Sequence, residues 1–284
     1  MNRYSLSTVL ALFLAFAAFA ARPVYAQPAA APAPAATPAS DDDDEKLRPL
    51  EPDFSLINLP TTLPLPVHKG NFHLTHRFNE NLRNDSFGTQ ASNLFGLDEG
   101  ATIQLEYRFG VMKHVEAIVS RTNVQRDIQM GVKYDAFHES ASHPIGLSAL
   151  VSIEGTNNFK ENYAPALGVV VSRTLGNVAA VYATPVWAHN TLPGTGVTED
   201  TTYVGLGTRV KIMTLGYVVF EASPRVGGYT PGDAEFAFSF EKRAGAHLFS
   251  LTFSNTSATT YGQIARGGNP HSLYFGFNLA RKFF

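Results

Sequence analysis

Segments of about ten residues recur along this chain in which every second side chain is apolar, and a period of two is the signal of a β-strand. The pattern is clearest in FHLTHRF (72–78), ATIQLEYRF (101–109), DIQMGVKY (127–134), IGLSALVSIE (145–154), EFAFSFE (235–241), HLFSLTFS (247–254) and LYFGFNLA (273–280). Weaker versions are VEAIVSRTN, ALGVVVSRT, NVAAVYATPVW, TYVGLGTRVK and LGYVVFEASPR. No long stretch after Leu56 shows a helical period, so the reading is all-β with about twelve strands. One face carries residues such as Phe72, Leu74, Leu105, Tyr107, Met130, Val151, Phe238 and Leu251. The other carries Thr75, Gln104, Gln129, Ser148, Ser152 and a set of charged side chains.

Two architectures share this alternation. A soluble sandwich or barrel turns the apolar face inward, whereas a transmembrane barrel turns it to lipid and keeps the polar face in the lumen. Three features favour the second. A tilted strand of about ten residues matches the thickness of a hydrocarbon core. Longer links, near 81–100, 190–200, 226–232 and 256–270, alternate with tight ones at 110–113, 175–176, 213–214 and 243–245, as long outer loops alternate with short periplasmic turns. A short third link near Val124 and a longer fourth one at 137–144 break that rule. Finally, the chain stops on an aromatic strand. An even strand count places both termini in the periplasm, and Phe275, Phe277, Phe283 and Phe284 then read as a closing strand carrying the signal recognised by the barrel assembly machinery. The expected fold class is therefore an antiparallel transmembrane β-barrel in the outer membrane, in contact with outer-membrane lipid.

Composition agrees. Only 16% of residues are charged and mean hydropathy is −0.05, low in charge for a soluble domain yet far too polar for a bundle of membrane helices. A net charge of −2 offers no broad basic surface for nucleic acid, and the absence of cysteine excludes disulfides, thiol catalysis and thiolate metal sites. Residues 1–26 read as a cleavable signal peptide, with Arg3, an apolar run from Val9 to Ala21 and a small-residue site at Val24-Tyr25-Ala26; an uncleaved anchor helix is the alternative. Residues 27–53 read as a disordered Ala/Pro/Asp-rich periplasmic linker. Its Asp41–Asp44 run lacks the spaced ligands and turn glycine of a calcium loop. Residues 54–70, with prolines at 60, 64 and 66, cannot form a central strand. They are either an extended lead-in or a plug, before a barrel over 71–284.

The stretches INLPTTLPLPVHKGNFHLTHRF (57–78), FGLDEGATIQLEYRFG (95–110) and RDIQMGVKYDAF (126–137) resemble a bacterial outer-membrane β-barrel family known as a domain of unknown function. His76-Arg77-Phe78, the FGLD of the first long link and Lys133-Tyr134 carry the resemblance, which runs from about Phe54 onward and more loosely in the second half. Asn79 stands where the family often has glycine. The resemblance implies fold and location and no activity.

Strand parity nominates Arg77, Glu106, Arg108, Glu116, Lys133, Glu154, Arg209, Glu221 and Glu241 as lumen-lining, with Glu235 and Lys211 on the same face. Acids and bases are nearly balanced, as expected of a paired network in a narrow lumen rather than of an ion-selective filter. The functional expectation is a narrow channel or small-solute pathway. The alternatives are an interaction barrel that binds partners through loops 81–100 and 256–270, or a lipid-modifying enzyme using His76, His271 and Ser272. The parity that turns His76 and His271 outward turns Ser272 inward, and no GxSxG, HExxH or P-loop pattern is present. His138 and His143, which flank Glu139, lack a regular metal-binding spacing. No catalytic residue, metal or cofactor is therefore expected.

Overall fold

The computed structural model describes residues 50–97, 99–140, 142–192, 198–230 and 232–284. The expected signal peptide and all of the expected linker before residue 50, with Asp41–Asp44, lie outside the described residues. The described chain forms an up-and-down meander: β1 (Gly70–Asn81), β2 (Ala101–Met112), β3 (Val115–Thr122), β4 (Ile128–Phe137), β5 (Gly146–Gly155), β6 (Glu161–Leu175), β7 (Ala179–Ala188) and β8 (Thr201–Met213). It continues through β9 (Gly216–Ser223), β10 (Arg225–Gly228), β11 (Glu235–Ala244), β12 (His247–Ser254) and β13 (Tyr274–Lys282). Both β9 and β10 pair with β8 and are separated by Pro224, so they are one stave interrupted where proline removes a donor. The ring thus has the expected twelve staves.

Closure comes from β13, which pairs antiparallel with β1 from Asn71↔Lys282 through Arg77↔Gly276. Every other neighbouring pair is antiparallel as well. A closed ring leaves no sheet edge, which a spanning structure in hydrocarbon requires. At the end of the barrel where β1 begins, several links are tight. Gly176 and Gly245 take φ of +58° and +59° there, a left-handed conformation that a side chain disfavours. The opposite end carries the longest links, 82–100 and 255–273.

The two faces of the wall differ as a membrane demands. Leu105, Val119, Val151, Phe220, Phe249 and Leu251 are about half exposed on the outside, whereas Arg77, Lys133 and Arg209 are fully buried within. The outward aromatics form a band across the closing seam: Phe78 packs on Phe275, Phe275 on Phe253, and Phe253 on Phe238. The longest links do not simply project from the barrel. Residues 82–100 include helix α1 (Phe87–Ser92), capped by the Ser86 hydroxyl, which accepts from Thr89 N. Residues 255–273 include helix α2 (Tyr261–Ala265), all five of whose residues are buried. The second link therefore departs from the expectation of a projecting loop.

Replacing Leu251, midway along β12, with arginine should cost about 2–4 kcal/mol, because the charge meets hydrocarbon. Equilibrium guanidinium unfolding from phospholipid vesicles measures it; serine at Ser250, on the inward parity, replaced by alanine should cost less.

Candidate functional site: a filled lumen

The interior is occupied from both ends. From the Gly70 end, residues 50–66 run inside the ring, bonded to side chains from most of the wall. This buried course begins at Leu50, earlier than the expected linker boundary at 53, and Leu50, Glu51 and Asp53 are all buried. Its prolines keep it out of the wall's ladders and it forms one isolated bridge of its own, Ser55 with Pro60, so most of its backbone polar groups need partners of another kind. The wall's charged side chains provide them. Arg108 Nη1 donates to Phe54 O at 3.4 Å, and Arg209 Nη2 donates to Ser55 O at 2.8 Å. Lys133 Nζ donates to Thr61 O at 3.0 Å and Leu63 O at 2.8 Å. From β13, Asn278 donates to Ile57 O and Lys282 to Pro52 O. Glu221 is the strongest acceptor of the set: its carboxylate takes the amide of Ile57 at 2.7 Å and those of Asn58 and Leu59 at 3.0 Å. Asn58 Nδ2 also donates to Glu235 Oε1.

Arg108, Lys133 and Arg209 are held by wall acids at the same time. Arg209 pairs with Glu241 at 2.8 Å, with both side chains fully buried. Arg108 pairs with Glu106 at 2.6 Å and Glu116 at 3.0 Å; Lys133 lies 3.1 Å from Asp135 and 3.6 Å from Glu116. Charges this far from water are tolerated only when paired and hydrogen-bonded. Three of the sequence-nominated residues depart from simple pairing. Glu221 is satisfied by amides rather than a cation. Glu154 accepts from Gly262 N, with Arg266 3.9 Å away. Arg77 donates through Nη1 to Asn278 Oδ1 at 2.7 Å, while its Nε and Nη2 have no protein partner.

Apolar contacts seat the segment too. Leu56, Ile57 and Leu59 pack with Ala180, Tyr182, Val219 and Ala237 on the inner wall. Gly205 and Gly207 on β8 face them. A Cβ at 205 would lie 2.7 Å from Leu59 Cδ2, and one at 207 would run into Leu56 Cδ1. From the other end, Tyr261, Ile264 and Ala265 of α2 meet Ile118, Leu150, Ala166, Val186 and Tyr203. Gln263 Nε2 donates to Asp127 Oδ2, and Gln104 Nε2 donates to Thr259 O.

Sequence parity by itself gives no sign of the seat, because Gly205-Leu206-Gly207 reads as a weak strand. A glycine pair on one inward parity, with a Leu/Pro segment elsewhere needing a berth, was the available signal. The aromatic residues nominated on the closing strand lie apart from the lumen: Phe275 and Phe277 face outward, and Phe283 lies 5.3 Å from the Arg281 guanidinium. Phe284 instead turns back to 6.5 Å from Phe54. The histidines and serine weighed for catalysis do not form a working pair. The His76 ring stacks on Phe277, and Ser272 Oγ accepts from Asn81. Among the described residues no group of three or more His, Asp or Glu could hold a metal. The site is a packing surface of paired charges and apolar contacts.

A closed antiparallel ring, apolar outside and charged inside, is a membrane β-barrel. The chain belongs to the family described as "Membrane bound beta barrel domain (DUF5777)", whose model matches residues 53–283. Among solved structures, the NanC porin is similar over 76% of this chain and 100% of its own, with a TM-score of 0.51 at 8% identity. The KdgM porin is similar over 76% of this chain and 99% of its own, with a TM-score of 0.49 at 8% identity. An outer membrane channel from Pseudomonas putida F1 is similar over 77% and 97%, with a TM-score of 0.48 at 11% identity. At such identities the likeness is one of fold. No curated protein matches the chain. The protein is a membrane-bound β-barrel with a porin-like fold.

Glu241→Ala should destabilise the barrel by about 3–5 kcal/mol, because it leaves Arg209 buried without its counter-ion; the midpoint of guanidinium unfolding reads this. Because the chain has no cysteine, Ile57→Cys introduces a unique reporter. Maleimide labelling of folded Ile57→Cys should be slow, and should quicken at least tenfold when Gly207→Leu is added, because leucine takes the space of Leu56.

Proposed function

We propose that the protein is a narrow outer-membrane channel for small polar solutes, closed on the Gly70 side by its own 50–66 segment, which leaves to open that side, the solute then passing alongside α2 at the other end. The Gly70 end then faces the periplasm and the long links face outward. The observation that carries this reading is the capture of three consecutive amides, Ile57 to Leu59, by the Glu221 carboxylate. Those bonds exchange readily for water, and the wall does not depend on them. With the segment gone, Arg209 still has Glu241, Arg108 still has Glu106 and Glu116, and Lys133 still has Asp135. Those three cations keep their acidic partners, and Glu221 exchanges the segment's amides for water.

Further polar atoms support a hydrated interior. Arg77 Nε and Nη2, Tyr203 Oη, Ser239 Oγ and Thr252 Oγ1 are buried without a protein partner, and such atoms are costly unless water or a solute meets them. The near balance of acids and bases favours neutral or zwitterionic solutes over one sign of ion. In this reading the aromatic residues of β13 and the two residues after it, Phe275, Phe277, Phe283 and Phe284, serve the barrel assembly machinery. The tucked course of 255–273 weakens the alternative of a barrel that presents that loop to partners.

Planar-bilayer recording tests the proposal. The unaltered chain should stay near background, while Glu221→Ala, Gly207→Leu and deletion of 50–66 should each give discrete conductance steps. Background conductance in all three variants, with heat-modifiable migration showing each barrel folded, would leave a closed structural barrel instead.

A further inference from the structure

The link 82–100 lies against the outside of the wall, not over its mouth. Phe95 sits 6.5 Å from Phe275 and 5.9 Å from Phe87, and the outward-facing Phe78 is only 7% exposed beneath this cover. Gly96, with φ of +93°, makes the close approach possible, since a Cβ there would lie 2.7 Å from Glu80 Cβ. Between link and wall runs a groove of about 490 Å³ lined by Leu82, Phe87, Gln90, Phe95, Phe253 and Phe275, within the range of small-molecule sites.

Two observations say what the groove takes. First, Phe253 and Phe275 belong to the lipid-facing wall, so the groove is continuous with the surface that meets hydrocarbon. The link itself exposes Phe87, Leu94 and Leu97, and Phe87 is 79% exposed, which suits a segment lying in the membrane interface. Second, the groove holds one buried polar side chain. Gln90 is 3% exposed and donates through Nε2 to Asn81 O at 3.4 Å, which orients its amide, yet its Oε1 has no partner. An unpartnered carbonyl oxygen among aromatic rings calls for a donor from the ligand.

We propose that this groove holds one acyl chain of a membrane lipid that carries a hydroxyl group, the methylenes lying along Phe95, Phe253 and Phe275 and the hydroxyl donating to Gln90 Oε1. This site is independent of the lumen and of whether the barrel conducts. It gives the barrel a preferred lipid at one position of its rim.

Native mass spectrometry of the full chain in detergent, titrated with 3-hydroxytetradecanoic acid or with tetradecanoic acid, tests it. The unaltered protein should retain the hydroxylated chain about tenfold more tightly, the worth of one hydrogen bond to a buried group. Gln90→Leu should bring that ratio to about one while still binding both chains, and Phe95→Ala should weaken both together. Heat-modifiable migration verifies that each variant is folded. Equal retention of the two chains by the unaltered protein, or a preference unchanged in Gln90→Leu, overturns the proposal.

Discussion

Everything in this molecule depends on the ladder between β13 and β1. In hydrocarbon an unpaired backbone amide has no substitute partner, so a spanning sheet must close or fail. Once it closes, the register decides which side of the wall each residue occupies, because side chains alternate strictly along a strand. The pairing of Arg77 with Gly276 and of Leu74 with Leu279 sends the guanidinium inward and the leucines to lipid. A slip of one residue would exchange them, so the hydrophobic pattern and the hydrogen-bond register enforce one another.

The closed ring then creates a second problem, a lumen lined by charge and remote from water. The solution is double use. Arg108, Lys133 and Arg209 each meet acidic partners on the wall and a carbonyl of the inserted segment. The segment depends on those donors, since its prolines keep it out of the wall's ladders, whereas the donors also have the wall's acids. Irregular backbone at membrane depth is permitted where protein surrounds it, and here wall side chains take the place of neighbouring strands. Gly205 and Gly207 complete the fit by giving up side-chain volume to Leu59 and Leu56.

The strands were legible in the sequence because alternation is a local property. ATIQLEYRF announces both its strand and its outward leucine and tyrosine without reference to any other segment. The same parity nominates inward charged residues but says nothing of their partners. That Glu221 would bind amides rather than a cation depends on where 57–59 lies, a relation across more than 160 positions that no period encodes. The proline-rich 54–70 stretch was readable only as something other than a strand, which left lead-in and plug equally open. The 256–270 link, rich in Thr and Gly, looked like a projecting loop. It is drawn inward by Tyr261 and Ile264, whose contacts on five strands are invisible to local pattern.

Three residues of β13, Asn278, Lys282 and the adjoining Phe284, touch the segment that precedes β1, through Ile57, Pro52 and Phe54. The berth for that segment is therefore unfinished until β13, made more than 200 residues later, has taken its place. Complete seating of the early segment therefore requires a closed ring. A barrel closed one residue out of register would turn Asn278 and Lys282 outward and leave the segment unanchored. Correct seating of the interior thus proofreads the seam.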